Sequence, residues 1–475
     1  MKRTALLYLL MFVVAIPAIM WVLHQGASLP APSGTSAVVV QTASEGGSAV
    51  QAMFSEMAAH SAAPLGRLFM QLLVIIAASR VAGMIATRLG QPAVIGEMTA
   101  GILLGPSLFG AIAPETFAYV FKTDSLGVLK LFSQIGVCLF MFVVGMELNV
   151  QHVKQKAHAA VLVSHTSIVF PFFLGVVLAW FLYTNLAAAN ASFLAFALFM
   201  GISMSITAFP VLARILQERG LTQTSLGSTA ITCAAVDDVT AWSILAFVVA
   251  IARATSLNGV ALNLVAVLAF IAVMIWVVRP LLNRSLKADA EVPSKNTLAG
   301  VIMVVMASSF CTEVIGIHAL FGAFLAGAIM PNTEGFREKL AVRVENFSSV
   351  LLLPLFFAYT GLRTQVGLLN DISGWMMCLV IIAVATLGKL GGSAISARFT
   401  GMSWSESLQL GALMNTRGLM ELIALNIGYD MGILSPRIFA MLVIMALVTT
   451  MMTGPLLTLF SRKQVTETAT VPLRT

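Results

Sequence analysis

Two adjacent acids, Asp237 and Asp238, lie in the middle of the otherwise uncharged stretch STAITCAAVDDVTAWSILAF. A stretch of this length and polarity is predicted to cross a bilayer as one helix, which places both carboxylates near the midplane. An ionised side chain there costs about 2.5–3.5 kcal/mol and needs a partner, an aqueous cavity or a function. Consecutive helical residues diverge by about 100°, so separate roles are predicted for the two acids. The alternative is a structural pair that protonation neutralises.

A lysine and an arginine also occur inside apolar segments. Lys389, in VATLGKLGGSAISAR, is the natural partner for one of the two acids, because the small residues around it allow another helix to approach closely. The alternative is a lysine that extends its ammonium toward the membrane surface. Arg417 and Glu421, in MNTRGLMELI, are four residues apart and can pair on one helix face, which makes them a possible structural ion pair.

Two apolar segments contain residues that interrupt a helix. In SMSITAFPVLARIL, Pro210 cannot donate a backbone hydrogen bond and is predicted to leave carbonyl groups near Ser205 and Thr207 free. In LMNTRGLMELI, Asn415 and Thr416, with a glycine two residues later, weaken a second helix. Broken backbone inside a bilayer is tolerated where it is buried or lines a cavity, so both segments are predicted to contribute to a cation site. A simple proline kink is the alternative for the first segment.

The composition is that of a membrane protein. Of 475 residues, 59% are hydrophobic and 10% are charged, and the mean hydropathy is +0.95, which is outside the range of soluble globular chains. The formal charge of +7 does not indicate a nucleic-acid partner, because the basic residues lie at the ends of apolar runs rather than in a polar patch. The predicted fold class is an all-α polytopic membrane protein.

Recurrent apolar stretches divide the chain into about 13 predicted transmembrane helices after an N-terminal segment. Residues 1–24 resemble a signal peptide or signal anchor, and residues 25–64, rich in Ser, Ala, Gly and Pro, are predicted to form a flexible extracytoplasmic linker. The transmembrane domain is expected over 65–460, and residues 461–475 are expected to form a short cytoplasmic tail. The predicted spans are 65–87, 92–110, 125–148, 158–185, 192–217, 226–251, 259–283, 296–314, 317–332, 345–363, 373–396, 404–427 and 435–460.

The distribution of basic residues at the ends of these spans predicts the orientation. If the first of the thirteen spans ends in the cytoplasm, most of the flanking Lys and Arg residues collect on that side. The opposite side collects Lys122, Arg253, Arg363 and Arg437. This positive-inside bias predicts a cytoplasmic C-terminus.

A weak internal repeat is visible in the sequence. The phrase GEMTAGILLGP, residues 96–106, is similar to GAFLAGAIMP, residues 322–331, and each is followed by a span with a similar ending, FMFVVGMEL or LFFAYTGLR. The first pair occupies the second and ninth spans, so the two copies are predicted to run in opposite directions. Inverted repeats of this kind are common in secondary transporters.

Taken in order, TAFPVLARIL, AAVDDVTAW, the LGK around Lys389 and MNTRGLMELI resemble the monovalent cation:proton antiporter-2 family of bacterial sodium/proton and potassium/proton exchangers. The resemblance covers most of residues 65–460. It implies a thirteen-span fold with two crossed discontinuous helices, a homodimer, and an elevator-like movement of a core domain against a dimerisation domain. It also implies that Asp238 binds the transported ion or proton and that Asp237 pairs with Lys389.

The sequence therefore predicts a secondary antiporter, and not an enzyme, that exchanges sodium or potassium for protons by alternating access. Asp238 is the predicted shared site and the candidate for metal-ion binding, and no cofactor is expected. The expected partners are the monovalent cation, the proton, the lipid bilayer and a second copy of the chain, in a bacterial inner membrane. The alternatives are a cation channel or a potassium-efflux protein without obligatory proton exchange. An intramembrane aspartyl protease is disfavoured, because its two acids must converge on one water.

Overall fold

The computed structural model describes residues 63–147, 157–222, 224–253, 257–285, 294–331 and 335–469, with a few isolated residues before them. The predicted leader, 1–24, and almost all of the predicted linker, 25–64, lie outside the described residues. The helices belong to one unit within Ser61–Thr475. Regular secondary structure in the described residues is helical, apart from one β-bridge between Ala187 and Leu434.

The helices have the following bounds. The first ten are α1 (Pro64–Arg88), α2 (Ala93–Leu104), α3 (Phe109–Ile112), α4 (Pro114–Val120), α5 (Leu126–Glu147), α6 (Ala157–Leu186), α7 (Phe193–Ser205), α8 (Phe209–Glu218), α9 (Ser225–Arg253) and α10 (Leu257–Val273). The others are α11 (Arg279–Ser285), α12 (Lys295–Ile315), α13 (Ala319–Ala328), α14 (Phe336–Phe347), α15 (Leu353–Arg363), α16 (Ile372–Thr386), α17 (Gly392–Phe399), α18 (Trp404–Met414), α19 (Leu419–Asp430) and α20 (Pro436–Ala469). One π-helical turn each joins α10 to α11, α14 to α15 and α16 to α17.

In the described part of the chain, 11 helical stretches are long and apolar enough to cross a membrane. The sequence predicts about 13 such spans, and the two that are not among the eleven correspond to α13, which has 10 residues, and to the interrupted pair α18 and α19. Large apolar side chains such as Trp180, Trp276 and Phe399 are exposed on the surface of the bundle. The chain is thus a multi-pass helical membrane protein, whose outer surface suits contact with lipid.

The predicted boundary is wrong at the tenth span. Helix α14 begins at Phe336, well before the predicted start at residue 345. Most of the charged residues of this segment lie outside the predicted span, but Phe336, Leu340 and Val344 recur at helical spacing and bury one face against the bundle. The last helix also continues past the predicted end at residue 460, to Ala469.

The helices pack as two groups. The first group contains α1, α2, α5, α12, α13 and α15, and the second contains α6 to α9 and α16 to α20. Helix α10 contacts both groups, through α9 and through α12. The acids Asp237 and Asp238 and the predicted breaks all belong to the second group.

Glycines of the internal repeat make equivalent contacts within the first group. A Cβ atom at Gly101 of α2 would lie 2.2 Å from the carbonyl oxygen of Phe357 in α15. At the equivalent position in α13, a Cβ at Gly327 would lie 2.0 Å from the carbonyl oxygen of Phe142 in α5. Both crossings therefore need glycine for backbone contact, which supports the repeat as a feature of the packing.

The first glycine of each copy extends the same correspondence. A Cβ at Gly96 would lie 2.2 Å from the carbonyl oxygen of Ala82 in α1, and a Cβ at Gly322 would lie 2.2 Å from that of Ser308 in α12. Helices α1, α2 and α15 thus have the same glycine contacts as α12, α13 and α5.

Candidate ion-binding site

Two interrupted helices meet at the centre of the second group. Helix α7 ends at Ser205 and α8 begins at Phe209, while α18 ends at Met414 and α19 begins at Leu419. The two breaks cross, because the backbone N–H of Ala208 donates to the carbonyl of Thr416 over 2.9 Å. The hydroxyl of Thr207 also reaches across the break and lies 3.1 Å from the carbonyl oxygen of Met414. The Ala208 N–H at the start of α8 and the Met414 carbonyl at the end of α18 have no partner within their own helices. Each lies within hydrogen-bond distance of a group in the opposite break.

Pro210 lies in the first turn of α8. A proline is well accommodated there, because the N–H that it lacks would have no intrahelical partner. The residue therefore begins the second half-helix instead of kinking a continuous one.

Asp237 is fully buried and accepts four side-chain hydrogen bonds. Its Oδ1 accepts from Ser164 over 3.1 Å and from Ser167 over 2.8 Å, both on α6. Its Oδ2 accepts from Thr207 over 2.5 Å and from the Lys389 ammonium over 2.7 Å. The carboxylate thus accepts one charge-assisted hydrogen bond, from Lys389, and three hydrogen bonds from hydroxyl groups.

Lys389, which is also fully buried, lies in the π-helical turn Leu387–Gly391. Such turns are rare and frequently occur at functional sites. The lysine pairs with Asp237, the acid that the family resemblance assigns to it, and also donates to the carbonyl of Ser205. A Cβ at the preceding Gly388 would lie 3.1 Å from the Cα of Pro171 in α6, so a small residue is needed for this close helix contact.

The carbonyl groups at the end of α7 differ from the prediction. The sequence suggested that carbonyls near Ser205 and Thr207 are free to bind a cation, but the chain's own cations occupy several of them. Lys389 donates to the Ser205 carbonyl, and Arg417 donates to those of Ser203 and Met204 over 2.6 Å each. Positive side chains at the C-terminal end of a half-helix also complement its dipole.

Arg417 and Glu421 form a buried ion pair, with Nη1 3.0 Å from Oε2. Both side chains are fully buried. Thr450 of α20 fixes the backbone of Arg417, because its hydroxyl donates to the Arg417 carbonyl and accepts from the Arg417 N–H. The pair thus joins the second break to α7 and α20.

Asp238 is 1% exposed and follows Asp237 on α9. Asn415 is fully buried at the second break, and neither its Oδ1 nor its Nδ2 has a hydrogen-bond partner among the described residues. The neighbouring Thr416 lies within 3.3 Å of the Thr453 hydroxyl. The second break thus contains an amide whose polar atoms have no hydrogen-bond partner among the described residues, and α9 carries a second buried carboxylate next to Asp237.

Sequence reasoning did not identify Ser164 and Ser167, which donate to Asp237. Serine is common in spanning helices, where it bonds to its own helix backbone, so the residue type carries little information. The two serines are three residues apart and share a helix face, and only the packing of α6 against α9 gives that face a partner.

A cavity of about 810 Å³ lies between the two helix groups. The first group contributes residues of α1, α2, α5 and α15, and the second contributes α8 and the first turn of α19. Ala208 and Leu419 belong to its wall, and these residues adjoin the two breaks. The cavity therefore extends to the crossing of the two interrupted helices, where Thr207 contacts Asp237.

At the other end of the same interface, ion pairs join the two groups. Asp430, at the end of α19, lies 3.1 Å from the Lys130 ammonium of α5 and 2.5 Å from the Arg363 guanidinium of α15. Arg363 also donates to Asn426 over 3.1 Å and lies over the ring of Tyr359, 4.4 Å from its centroid. We call Lys130, Arg363 and Asp430 the ion-pair cluster.

Crossed half-helices next to buried acids, at the interface of two helix groups, are typical of secondary transporters. Residues 73–463 match the family described as Sodium/hydrogen exchanger, transmembrane. The chain belongs to this family, so it is a transporter and not an enzyme, and the predicted resemblance to cation:proton antiporters is confirmed.

Individual relatives agree with this assignment. The chain is 44% identical over 388 residues to the Na(+)/H(+) antiporter NhaS4 of Synechocystis, a match that covers 81% of this chain and 95% of that protein. It is 39% identical to Cation/H(+) antiporter 17 of Arabidopsis thaliana over 82% of this chain and 48% of the relative, so it spans about half the length of that protein. The structure of the sodium proton antiporter MjNhaP1 from Methanocaldococcus jannaschii has the same fold, with a TM-score of 0.56 at 14% identity over 81% of this chain and 94% of that one.

Proposed function

We propose that the chain exchanges a monovalent cation, sodium or potassium, for protons across a bacterial inner membrane by alternating access. The observation that carries this proposal is the buried acid pair at the crossing of the two interrupted helices, with one acid neutralised by Lys389. Relatives named as sodium/proton and potassium/proton antiporters support the same activity.

Asp237 and Asp238 have different roles in this mechanism. Four donors hold Asp237, so it fixes the position of Lys389 and of the first break. Asp238 points in a different direction from α9, because consecutive helical residues diverge by about 100°. Asp238 binds either the cation or a proton, and this competition for one site makes the exchange obligatory.

Asn415 supplies a further ligand for the dehydrated cation in this mechanism. A buried amide without partners costs free energy that the protein must offset elsewhere. Its Oδ1 is the type of hard oxygen ligand that suits sodium or potassium. Coordination by Asp238 and Asn415 would combine a charge with a dipole and so compensate part of the lost hydration shell.

Alternating access uses the interface between the two helix groups. The predicted positive-inside orientation would place the cavity on the cytoplasmic side, and the ion-pair cluster would then close the extracytoplasmic end. The second group then moves against the first and carries Asp238 from one side to the other. The first group forms the interface of a homodimer, which keeps it fixed while the second group moves.

The test is cation-driven proton movement in everted membrane vesicles. Vesicles that contain the chain are acidified inside, and sodium or potassium chloride is then added. We expect alkalinisation of the lumen, at a rate that saturates with the cation. Cation flux that continues without any proton gradient or counter-movement would instead indicate a channel and would contradict the exchange.

A further inference from the structure

Glu97 is the single ionisable residue of α2, one turn after the helix begins at Ala93. It is partly buried and lies on the wall of the cavity that leads to the two breaks. A carboxylate in a spanning helix has an energetic cost, so its position needs a reason.

The internal repeat shows that packing does not require this acid. Gly96 and Gly101 on either side of it make the same contacts as Gly322 and Gly327, which aligns Glu97 with Ala323. Ala323 is fully buried in α13. The helix contact is thus made with alanine in one copy, and the copy that borders the cavity carries a carboxylate in its place.

The charges around the cavity leave Glu97 available for a ligand. The wall carries three carboxylates and two guanidinium groups, from Glu97, Glu218, Glu345, Arg80 and Arg214. Arg214 pairs with Glu218 over 3.1 Å, and it acts on Glu97 together with Arg80 only at longer range. Among the described residues, no Lys or Arg nitrogen lies within the 4.0 Å of an ion pair to the Glu97 carboxylate.

We propose that Glu97 is a second cation-binding residue, which holds a hydrated sodium or potassium ion in the cavity before that ion reaches Asp238. This inference rests on the proposed exchange function and deepens it. A carboxylate in a narrow cavity with low-dielectric walls attracts cations more strongly than one on an open surface and raises their local concentration. The volume of about 810 Å³ leaves room for an ion that keeps its water shell.

Glu97 binds the cation before the exchange step at Asp238. Removal of its charge should therefore change the KM for the cation more than the maximal rate. In proteoliposomes that contain the full chain, we expect Glu97→Gln to raise the KM about fivefold and to lower the maximal rate less than twofold. Glu97→Asp keeps the charge and should restore most of the affinity. Glu97→Ala introduces the residue of the other repeat copy, which makes the same helix contacts with alanine, and it should behave like Glu97→Gln.

Glu345→Gln is the matched control. It removes the same charge from the same cavity wall. Glu345 is exposed, however, so water and salt screen its charge. The KM of Glu345→Gln for the cation should therefore differ less than twofold from that of the wild type. An equal effect of both glutamine variants would overturn the proposal, because a general loss of negative charge would explain it. An unchanged KM for Glu97→Gln, or a fall in maximal rate alone, would also overturn it.

A binding measurement separates this inference from the exchange itself. In the Asp238→Asn background, we expect the sodium-23 NMR signal to broaden on addition of purified protein, and the broadening to be lost in Asp238→Asn with Glu97→Gln. Equal broadening in both would refute cation binding at Glu97. If the wild type exchanges nothing, the proposed function fails, and this comparison still decides whether Glu97 binds sodium.

Discussion

At the scale of single residues, the environment of Asp237 is the most closely determined part of the site. Lys389 and three hydroxyl groups surround a carboxylate that water does not reach. Loss of the lysine would leave that charge buried without its cation, which costs about 3–5 kcal/mol in comparable buried pairs. The pair is therefore expected to be a condition for the folded site.

Lys389→Met should lower the thermal unfolding temperature of the purified protein markedly, and Asp237→Asn combined with Lys389→Met should recover much of the loss. The reason is that the double variant leaves no buried charge. Thermal unfolding of the two single variants and the double variant in detergent measures the coupling. Additive losses in the double variant would show that the two residues do not stabilise each other.

The sequence predicted several of these residues from chemistry alone. Two acids and a lysine inside apolar segments are rare, so Asp237, Asp238 and Lys389 are visible without a structure. The donors Ser164 and Ser167 are not, since serine is common in spans. The occupied carbonyl of Ser205 was also not predictable, because it depends on how far the Lys389 side chain reaches in three dimensions.

At the scale of helices, close packing in the first group depends on glycine. Gly101→Ala and Gly327→Ala each place a methyl group about 2 Å from a carbonyl oxygen of the partner helix. Backbone must move in response, so each substitution should lower the unfolding temperature, with a cost of about 1–3 kcal/mol. Gly300→Ala in α12 is the control, because nothing lies within 4 Å of the added atom. Equal stability of all three variants would contradict the packing.

The predicted helix boundaries agree with the structure where the segments are apolar, and they are wrong where charged residues belong to the helix. The start of α14 was missed because Arg and Glu residues precede the apolar part of the span. The sequence shows the charged residues of α14 directly. The burial of the apolar face of this helix depends on neighbouring helices, which the local sequence does not reveal. The shortness of α13 also depends on tertiary contacts that the apolar pattern does not contain.

The ion-pair cluster gives a prediction about the movement of one helix group against the other. Asp430→Asn weakens the contacts of Asp430 with Lys130 and Arg363, so the closed end should open more often. Hydrogen exchange should then rise around 423–430 and fall around 209–218, where the cavity closes. Asp371→Asn is the control, since Asp371 pairs with Arg437 inside the second group. Unchanged exchange in Asp430→Asn would show that the cluster does not hold this state.

At the scale of the whole molecule, the stoichiometry depends on the charge of Lys389. If cation binding at Asp238 makes Lys389 release its proton, two protons exchange for one cation and transport moves net charge. We expect the exchange rate in proteoliposomes to change when a potassium or proton diffusion potential is imposed. A rate and a reversal point that ignore the membrane voltage would rule out the two-proton mechanism and leave Asp238 as an electroneutral site.

The central claim is that Asp238 alternates between a proton and a monovalent cation. The most direct measurement compares cation-driven proton movement in proteoliposomes of the wild type and of Asp238→Asn, which has nearly the same shape but cannot carry a negative charge. The account predicts saturable exchange for the wild type and none for the variant, with both proteins equally folded by size-exclusion chromatography. Exchange in Asp238→Asn at a rate close to that of the wild type would contradict it.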